Sequence, residues 1–299
     1  MYSFTKNQKI FSMADIEFGG QPGMNPTVLF AGLFFKGKPD IVTAKQQIVQ
    51  MNEISKNTGI PAIPDFFIKK EEYVQPIINF ITDTLESDSP FSIDIIEPSI
   101  KIQVLELLEK HDLLSRCIYN SIHVGITKEE RVALEQYTPE MVILVAFNPK
   151  DSSPDGKIEV LENGAHLTES GLLQIACDIG CKKVLVDTAA LAPGNNSGGA
   201  IAALPVIKEE YGLPAGCAIH NVVEKSGWLD SFSKVRDVVD VSSNVNIPLF
   251  GGDFALFGSI DLSSMVFPVI AWQNILISEY VENYFGISPS RTHPRRILQ

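Results

Sequence analysis

Two scarcities shape a first reading of this 299-residue chain. Only 24 Lys and Arg stand against 36 Asp and Glu, a formal charge of −12. Nucleic-acid binders draw most of their affinity from cations that neutralise phosphates, so this balance argues against that class. Long apolar runs are also scarce: none approaches the roughly 18 consecutive apolar residues of a membrane span. The opening Met1-Tyr2-Ser3-Phe4-Thr5-Lys6-Asn7-Gln8-Lys9 lacks the apolar centre of a secretory leader, and a cytoplasmic location is expected. The few cysteines (Cys117, Cys177, Cys181 and Cys217) lie in apolar surroundings and read as reduced thiols. Neither Gly-x-Ser-x-Gly, His-Glu-x-x-His nor a paired Cys-x-x-Cys occurs. Cys217 and His220 are three apart on one expected strand, hence on opposite faces, so no metal site is expected.

What the chain does have is alternation. Eight β-rich runs (27–35, 61–68, 90–96, 115–122, 141–147, 182–188, 214–221 and 253–259) start 34, 29, 25, 26, 41, 32 and 39 residues apart. Each is followed by a longer helical pattern. Ser99 is the expected N-cap of a helix with apolar residues at 100, 104, 107 and 108. Thr127-Lys128-Glu129-Glu130 opens another in the manner of a capping box, and 265–285 is a long apolar-rich helix. Strand–helix units at this spacing imply right-handed crossovers and a parallel sheet. Eight of them predict an α/β fold closed as a single (β/α)8 barrel. Residues 1–26 stand outside the repeat: 9–18 alternates like a hairpin, Gly19-Gly20-Gln21-Pro22-Gly23 is a turn cluster, and the segment is expected to plug the barrel bottom. The barrel is expected over 27–287, and the basic stretch 288–299 reads as a frayed end.

Function in such barrels sits at the C-terminal ends of the strands. Those ends carry Asp65, Asp94, Asn120, Asn148, Asp187, and His220 with Asn221, and no Lys or Arg. Three carboxylates and three carboxamides around one mouth suit a ligand rich in N–H donors, such as a pterin, rather than a phosphate. Plainer readings stand beside this one. An Asp before a helix can be an N-cap, Asn148 before Pro149 can start a turn, and His220 reads more readily as a satisfied core histidine than as a catalyst. Gly194-Asn195-Asn196-Ser197-Gly198-Gly199 lacks the Gly-Lys-Ser/Thr ending of a nucleotide loop and is expected to be a flexible loop over the mouth. Gly251-Gly252-Asp253 is either a barrel anion site or, the reading preferred here, a tight turn into the last strand.

Several segments resemble the H-subunit family of tetrahydromethanopterin S-methyltransferase and its stand-alone bacterial relatives. They are Ile16-Glu17-Phe18-Gly19-Gly20-Gln21-Pro22-Gly23, Ser89-Pro90-Phe91-Ser92-Ile93-Asp94, Tyr119-Asn120-Ser121-Ile122, Ala146-Phe147-Asn148-Pro149, Val186-Asp187-Thr188-Ala189-Ala190, Gly212-Leu213-Pro214-Ala215-Gly216, Ile219-His220-Asn221 and Asp253-Phe254. The resemblance runs in order over nearly the whole chain. It implies methyl transfer between a corrinoid cobalt and N5 of a reduced pterin. More distantly, the pattern is similar to the pterin barrels of corrinoid/iron–sulfur protein methyltransferase and methionine synthase, whose Asp, Asn, Asp and Asn on strands three, four, six and seven match Asp94, Asn120, Asp187 and Asn221 by strand position.

Among the stand-alone relatives the chain looks most like the corrinoid-protein:tetrahydrofolate methyltransferases of glycine betaine demethylation. That implies tetrahydrofolate as acceptor, methylcobalamin or another corrinoid on a transient partner protein, and no metal of the chain's own; a homodimer is also expected. By the same resemblance Asn221, Asp94 and Asp187 form the catalytic set and Asn120 joins them on the pterin; Asp65, Asn148 and His220, taken from their strand ends, complete the expected pterin contacts. The alternative is a tetrahydromethanopterin-specific component of a membrane-associated complex, inactive alone. A dihydropteroate synthase reaction is disfavoured because its pyrophosphate calls for strand-end cations, and a thiol acceptor because the chain lacks the corresponding zinc ligands.

Overall fold

A computed structural model describes residues 3–35 and 38–298; Met1 and Tyr2 of the expected plug and Gln299 of the tail lie outside the described residues. The N-terminal alternation forms β1 (Ile10–Met13) and β2 (Ile16–Gly19), paired antiparallel from Ile10 opposite Gly19 to Met13 opposite Ile16. Eight parallel strands follow: β3 (Val28–Leu33), β4 (Ala62–Phe67), β5 (Phe91–Asp94), β6 (Cys117–Ile122), β7 (Met141–Val145), β8 (Lys183–Asp187), β9 (Ala215–Cys217) and β10 (Phe254–Ser259). They close in the order β10-β3-β4-β5-β6-β7-β8-β9, the expected barrel.

The two-residue period of a strand sorts side chains into an inner and an outer core. Leu29, Ala31 and Leu33 of β3 face the helices, in one apolar cluster with Phe66, Ile93, Tyr119, Leu144 and Val186. Val28 and Phe30 face inward with Ile63, Ile118, Ile143, Leu185, Phe254 and Leu256. Met13, Ile16 and Phe18 of the hairpin belong to this inner cluster, and the Phe18 and Phe30 rings lie 6.1 Å apart. The hairpin thus packs on the end of the barrel where the strands begin.

The outer ring comprises α1 (Ile41–Thr58), α2 (Val74–Thr84), α3 (Pro98–Lys110), α4 (Lys128–Gln136), α5 (Pro154–Asn163), α6 (Leu172–Asp178), α7 (Gly198–Tyr211), α8 (His220–Glu224), α9 (Arg236–Asn244), α10 (Asn246–Leu249) and α11 (Ser263–Phe285), with α12 (Pro294–Ile297) in the tail. Local chemistry sets several ends. Asp40 accepts the Thr43 N–H at the start of α1, and Ser153 accepts the Gly156 N–H at the start of α5.

Several expectations need correction. Ser99 is not the cap of α3: Glu97 occupies that position, because Pro98 fits the first helical turn, where no N–H is needed. Thr127 does accept the Glu130 N–H, but Glu130 turns into the core to Lys101 and Tyr119 instead of completing a capping box. The last β-rich run before β10 is a strand only over Ala215–Cys217; the chain turns helical by His220, so Cys217 and His220 do not share a strand.

Gly251-Gly252 lies before β10 at the hairpin end, a turn tied by the Gly252 N–H to the Ile247 carbonyl and by Asp253 to the buried Lys208 (2.6 and 2.8 Å). That geometry is the tight turn. The tail is not frayed: His293 and Pro294 are buried, and Arg295 donates to the Ser278 carbonyl and pairs with Glu282. Finally, 260–285 is one helical stretch long and apolar enough, by composition, to cross a membrane. Half of its most apolar window is buried in the barrel, where α11 packs on α1, α9, α10 and α12.

Candidate functional site

The inward parity that fills the barrel floor with Phe30, Ile63, Ile118, Ile143 and Leu185 continues upward to the strands' C-terminal ends. Two residues on, it delivers Gly32, Asp65, Asn120, Val145 and Asp187; Asp94 stands on β5 beside Asn120 in register. Together with Asn221, His220, Ser121, Glu224 and Asp240 they line one cavity of about 650 Å³ at the mouth. No Lys or Arg is among its lining residues. A second cavity of about 640 Å³ lies at the opposite end, beside the hairpin and α1, and holds none of the strand-end residues.

Six of the seven sequence-derived candidates therefore meet: Asp65, Asp94, Asn120, Asp187, His220 and Asn221. Asn148 does not line the cavity. Its carboxamide accepts the Lys150 and Asp151 N–H groups and donates to the Gly156 carbonyl, which fixes the turn into α5. His220 is not a satisfied core histidine. It opens α8 at the cavity wall, has no side-chain hydrogen bond among the described residues, and lies tilted against Phe34 with ring centroids 6.4 Å apart. Gly258 (φ +99°) makes room for it, since a Cβ there would come within 3.1 Å of the imidazole. The loop before α7 opens that helix as expected, but none of residues 194–199 lines the cavity.

Burial dominates the electrostatics. It pushes the Asp65 carboxyl up to about 6, with neighbouring Ser92 and Asn120 pulling it partly back. Asp65 Oδ1 has no hydrogen-bond partner, an acceptor held ready at the cavity wall. Asp94 is pushed well above the usual carboxylate range by burial and then by the Asp65 charge, with Lys101 opposing and Asp187 adding to the rise. Asp187 is raised to about 6, again by burial, while the Ala189 N–H (2.7 Å) and Lys157 pull it down. At the rim, burial and the nearby Asp237 and Glu224 raise Asp240 to about 6. Burial lowers His220, favouring neutral imidazole.

Sequence reasoning missed the buried cations around the barrel, two of them behind this wall and Lys208 at the hairpin end. Lys101, Lys157 and Lys208 are fully buried on α3, α5 and α7. Lys101 pairs with Glu130 at 2.9 Å and donates to the Ser121 carbonyl at 2.8 Å. A signal was present: Lys101 falls in the stripe of buried Val104, Leu105 and Leu108, and Lys157 in that of Val160 and Leu161. Glu224 and Asp240 were missed because they reach the mouth from α8 and α9, inside a polar segment with no strand to mark it.

The mouth is an acceptor-rich chamber with Phe30, Phe34, Phe67 and Leu256 among its apolar walls. A solved dihydropteroate synthase from Coxiella burnetii, in complex with pteroic acid, superposes with a TM-score of 0.61 at 12% identity over 93% of this chain and 100% of its own, a likeness of fold. The MtrH protein of tetrahydromethanopterin S-methyltransferase from Methanothermobacter thermautotrophicus is 34% identical over 98% of both chains. Its namesake from Methanocaldococcus jannaschii is 32% identical over all of both. A family model for the MtrH subunit of that enzyme matches residues 6–289, and the chain belongs to the MtrH methyltransferase family.

Proposed function

We propose that this protein moves a methyl group from a methylated corrinoid, carried by a separate protein, to N5 of tetrahydrofolate. The observation that carries the pterin reading is the cavity lining: Asp65, Asp94, Asn120, Asp187 and Asn221 converge with no cationic side chain among them. Carboxylates and carboxamides suit ring N–H and amino donors. The same lining offers nothing for a pyrophosphate, which weighs against a dihydropteroate synthase reaction despite the shared fold.

The corrinoid supplies an electrophilic methyl group, its cobalt keeping the bonding electron pair as Co(I). The protein's own work is placement. Asp94 and Asp187 accept from the ring N–H and 2-amino group and fix the ring's orientation. Asn120 shares that edge, and Asp65 offers its unpartnered oxygen. Asn221 stands by N5, where it orients and polarises but cannot titrate. The N5 proton leaves to water. The wide mouth admits a partner-borne cofactor, and the encounter is expected to be transient. We place the reaction in the cytoplasm and the enzyme in a homodimer formed through α11. There Met265, Val269, Trp272, Leu276 and Tyr280 make an exposed apolar stripe at helical spacing.

The full-length likeness to components of tetrahydromethanopterin S-methyltransferase favours a second reading, a tetrahydromethanopterin-binding subunit inactive outside its complex. The purified chain decides between them. Mixed with methylcobalamin and tetrahydrofolate, with and without a corrinoid protein, it should yield Co(I) absorbance and 5-methyltetrahydrofolate. No product under either condition would remove the stand-alone reading.

A further inference from the structure

Lys157 is a buried cation that the reaction described above does not use. It lies on the inner face of α5 with 1% of its surface exposed, and its ammonium has one hydrogen-bond partner among the described residues, the Ala189 carbonyl at 3.5 Å. No carboxylate lies within ion-pair distance of it among those residues, unlike Lys101 and Lys208, which pair with Glu130 and Asp253. Leaving a buried ammonium unpaired is costly unless the field of a nearby anion offsets it.

The anion is Asp187. One residue joins the two groups: the Ala189 carbonyl faces Lys157, and the Ala189 N–H donates to Asp187 Oδ1 at 2.7 Å. Ala189 holds a left-handed backbone (φ +55°), a conformation that non-glycine residues adopt only when their surroundings impose it. The other groups that feel these two charges are Asp151 and Cys217 beside Lys157, and Asp94 across the cavity from Asp187. Against a burial that pushes Asp187 up, the Ala189 N–H draws it down first, and among the charges Lys157 is the one that adds to that pull.

We propose that Lys157 is a positioning residue that keeps Asp187 an ionised hydrogen-bond acceptor for the ligand's ring donors, acting from behind the strand without entering the cavity. The inference rests on the pterin reading for its consequence but not for its physical core. A lysine at a strand end would meet the ligand and offer it a donor. From α5 it supplies only its field, so the cavity stays free of cationic side chains while one of its carboxylates stays charged at neutral pH.

The test has two readouts. In ligand-free protein labelled at the Asp carboxyl carbon, with Asp187→Asn to assign the signal, Lys157→Met should move the Asp187 titration up by about one pH unit, and Lys157→Arg should leave it near the wild-type position. In tetrahydrofolate titrations, Lys157→Met should bind about fivefold more weakly than wild type at pH 6 and nearly as well at pH 8.5. An unmoved carboxyl titration, or a loss of affinity equal at both pH values, overturns the proposal. Wild-type protein that binds neither tetrahydrofolate nor tetrahydromethanopterin sinks the pterin reading and leaves the carboxyl measurement to decide this one. If Lys157→Met does not fold, the reciprocal experiment serves, because coupling between two sites is mutual: Asp187→Asn should lower the titration of the Lys157 ammonium, and no movement refutes the coupling.

Discussion

Asp65 offers a test that needs no ligand. Its side chain is 4% exposed, its Oδ1 has no partner, and burial raises its pKa from 3.8 to about 6. A raised carboxyl is a stabilising group while protonated. Its contribution is complete below the unfolded-state value and is lost as pH rises through the folded one. A rise of about 2 pH units corresponds to roughly 3 kcal/mol between the fully protonated and fully ionised limits at 1.36 kcal/mol per unit. About half of that, roughly 1.5 kcal/mol, falls between pH 5 and pH 8. Asp65→Asn keeps the shape and removes the titration. Urea unfolding of both proteins at several pH values should show the variant gaining about 1.5 kcal/mol on the wild type from pH 5 to pH 8. Since Asp65 and Asp94 influence each other, the change is expected to spread over more than one pH unit. Saturating pterin should shrink it, because ring donors then compensate the ionised form. A stability difference independent of pH would mean that Asp65 is an ordinary carboxylate, and the picture of a desolvated acceptor wall would fail.

Further outcomes follow from the same geometry. Asn221→Ala should lower kcat about tenfold or more with a smaller change in pterin affinity, as expected of a group that acts near N5 rather than on the recognition edge; steady-state kinetics with tetrahydrofolate read this directly. Lys208→Met breaks the buried pair with Asp253 at the hairpin end and should cost about 3–5 kcal/mol in unfolding experiments, with pterin affinity per folded molecule unchanged.

Much of the site was legible because it follows from strand parity. Once 61–68, 115–122 and 182–188 are read as barrel strands, the register that sends Ile63, Ile118 and Leu185 inward sends Asp65, Asn120 and Asp187 to the mouth. Where the chain leaves that regularity, the reading weakened. β9 is only three residues long, so His220 and Asn221 reach the cavity from the first turn of a helix rather than from a strand end. Asn148 sits just past β7, where an Asx turn and a ligand contact ask for the same residue type, and the turn is what forms. The buried lysines were hidden for another reason. A lysine in an apolar helix stripe can snorkel to water or reach a buried anion, and only the packing decides which.

Calorimetric titration of tetrahydrofolate into the wild type, Asp94→Ala and Asp187→Ala tests the pterin chamber most directly, with tetrahydromethanopterin run in parallel to settle the pterin type. Removing either carboxyl leaves a buried ligand donor without its partner, at a cost of about 1–3 kcal/mol, so each variant should bind roughly 5- to 150-fold more weakly than the wild type. Wild-type affinity in both variants, or a wild type that binds neither pterin, would contradict the assignment of the mouth cavity as a pterin site.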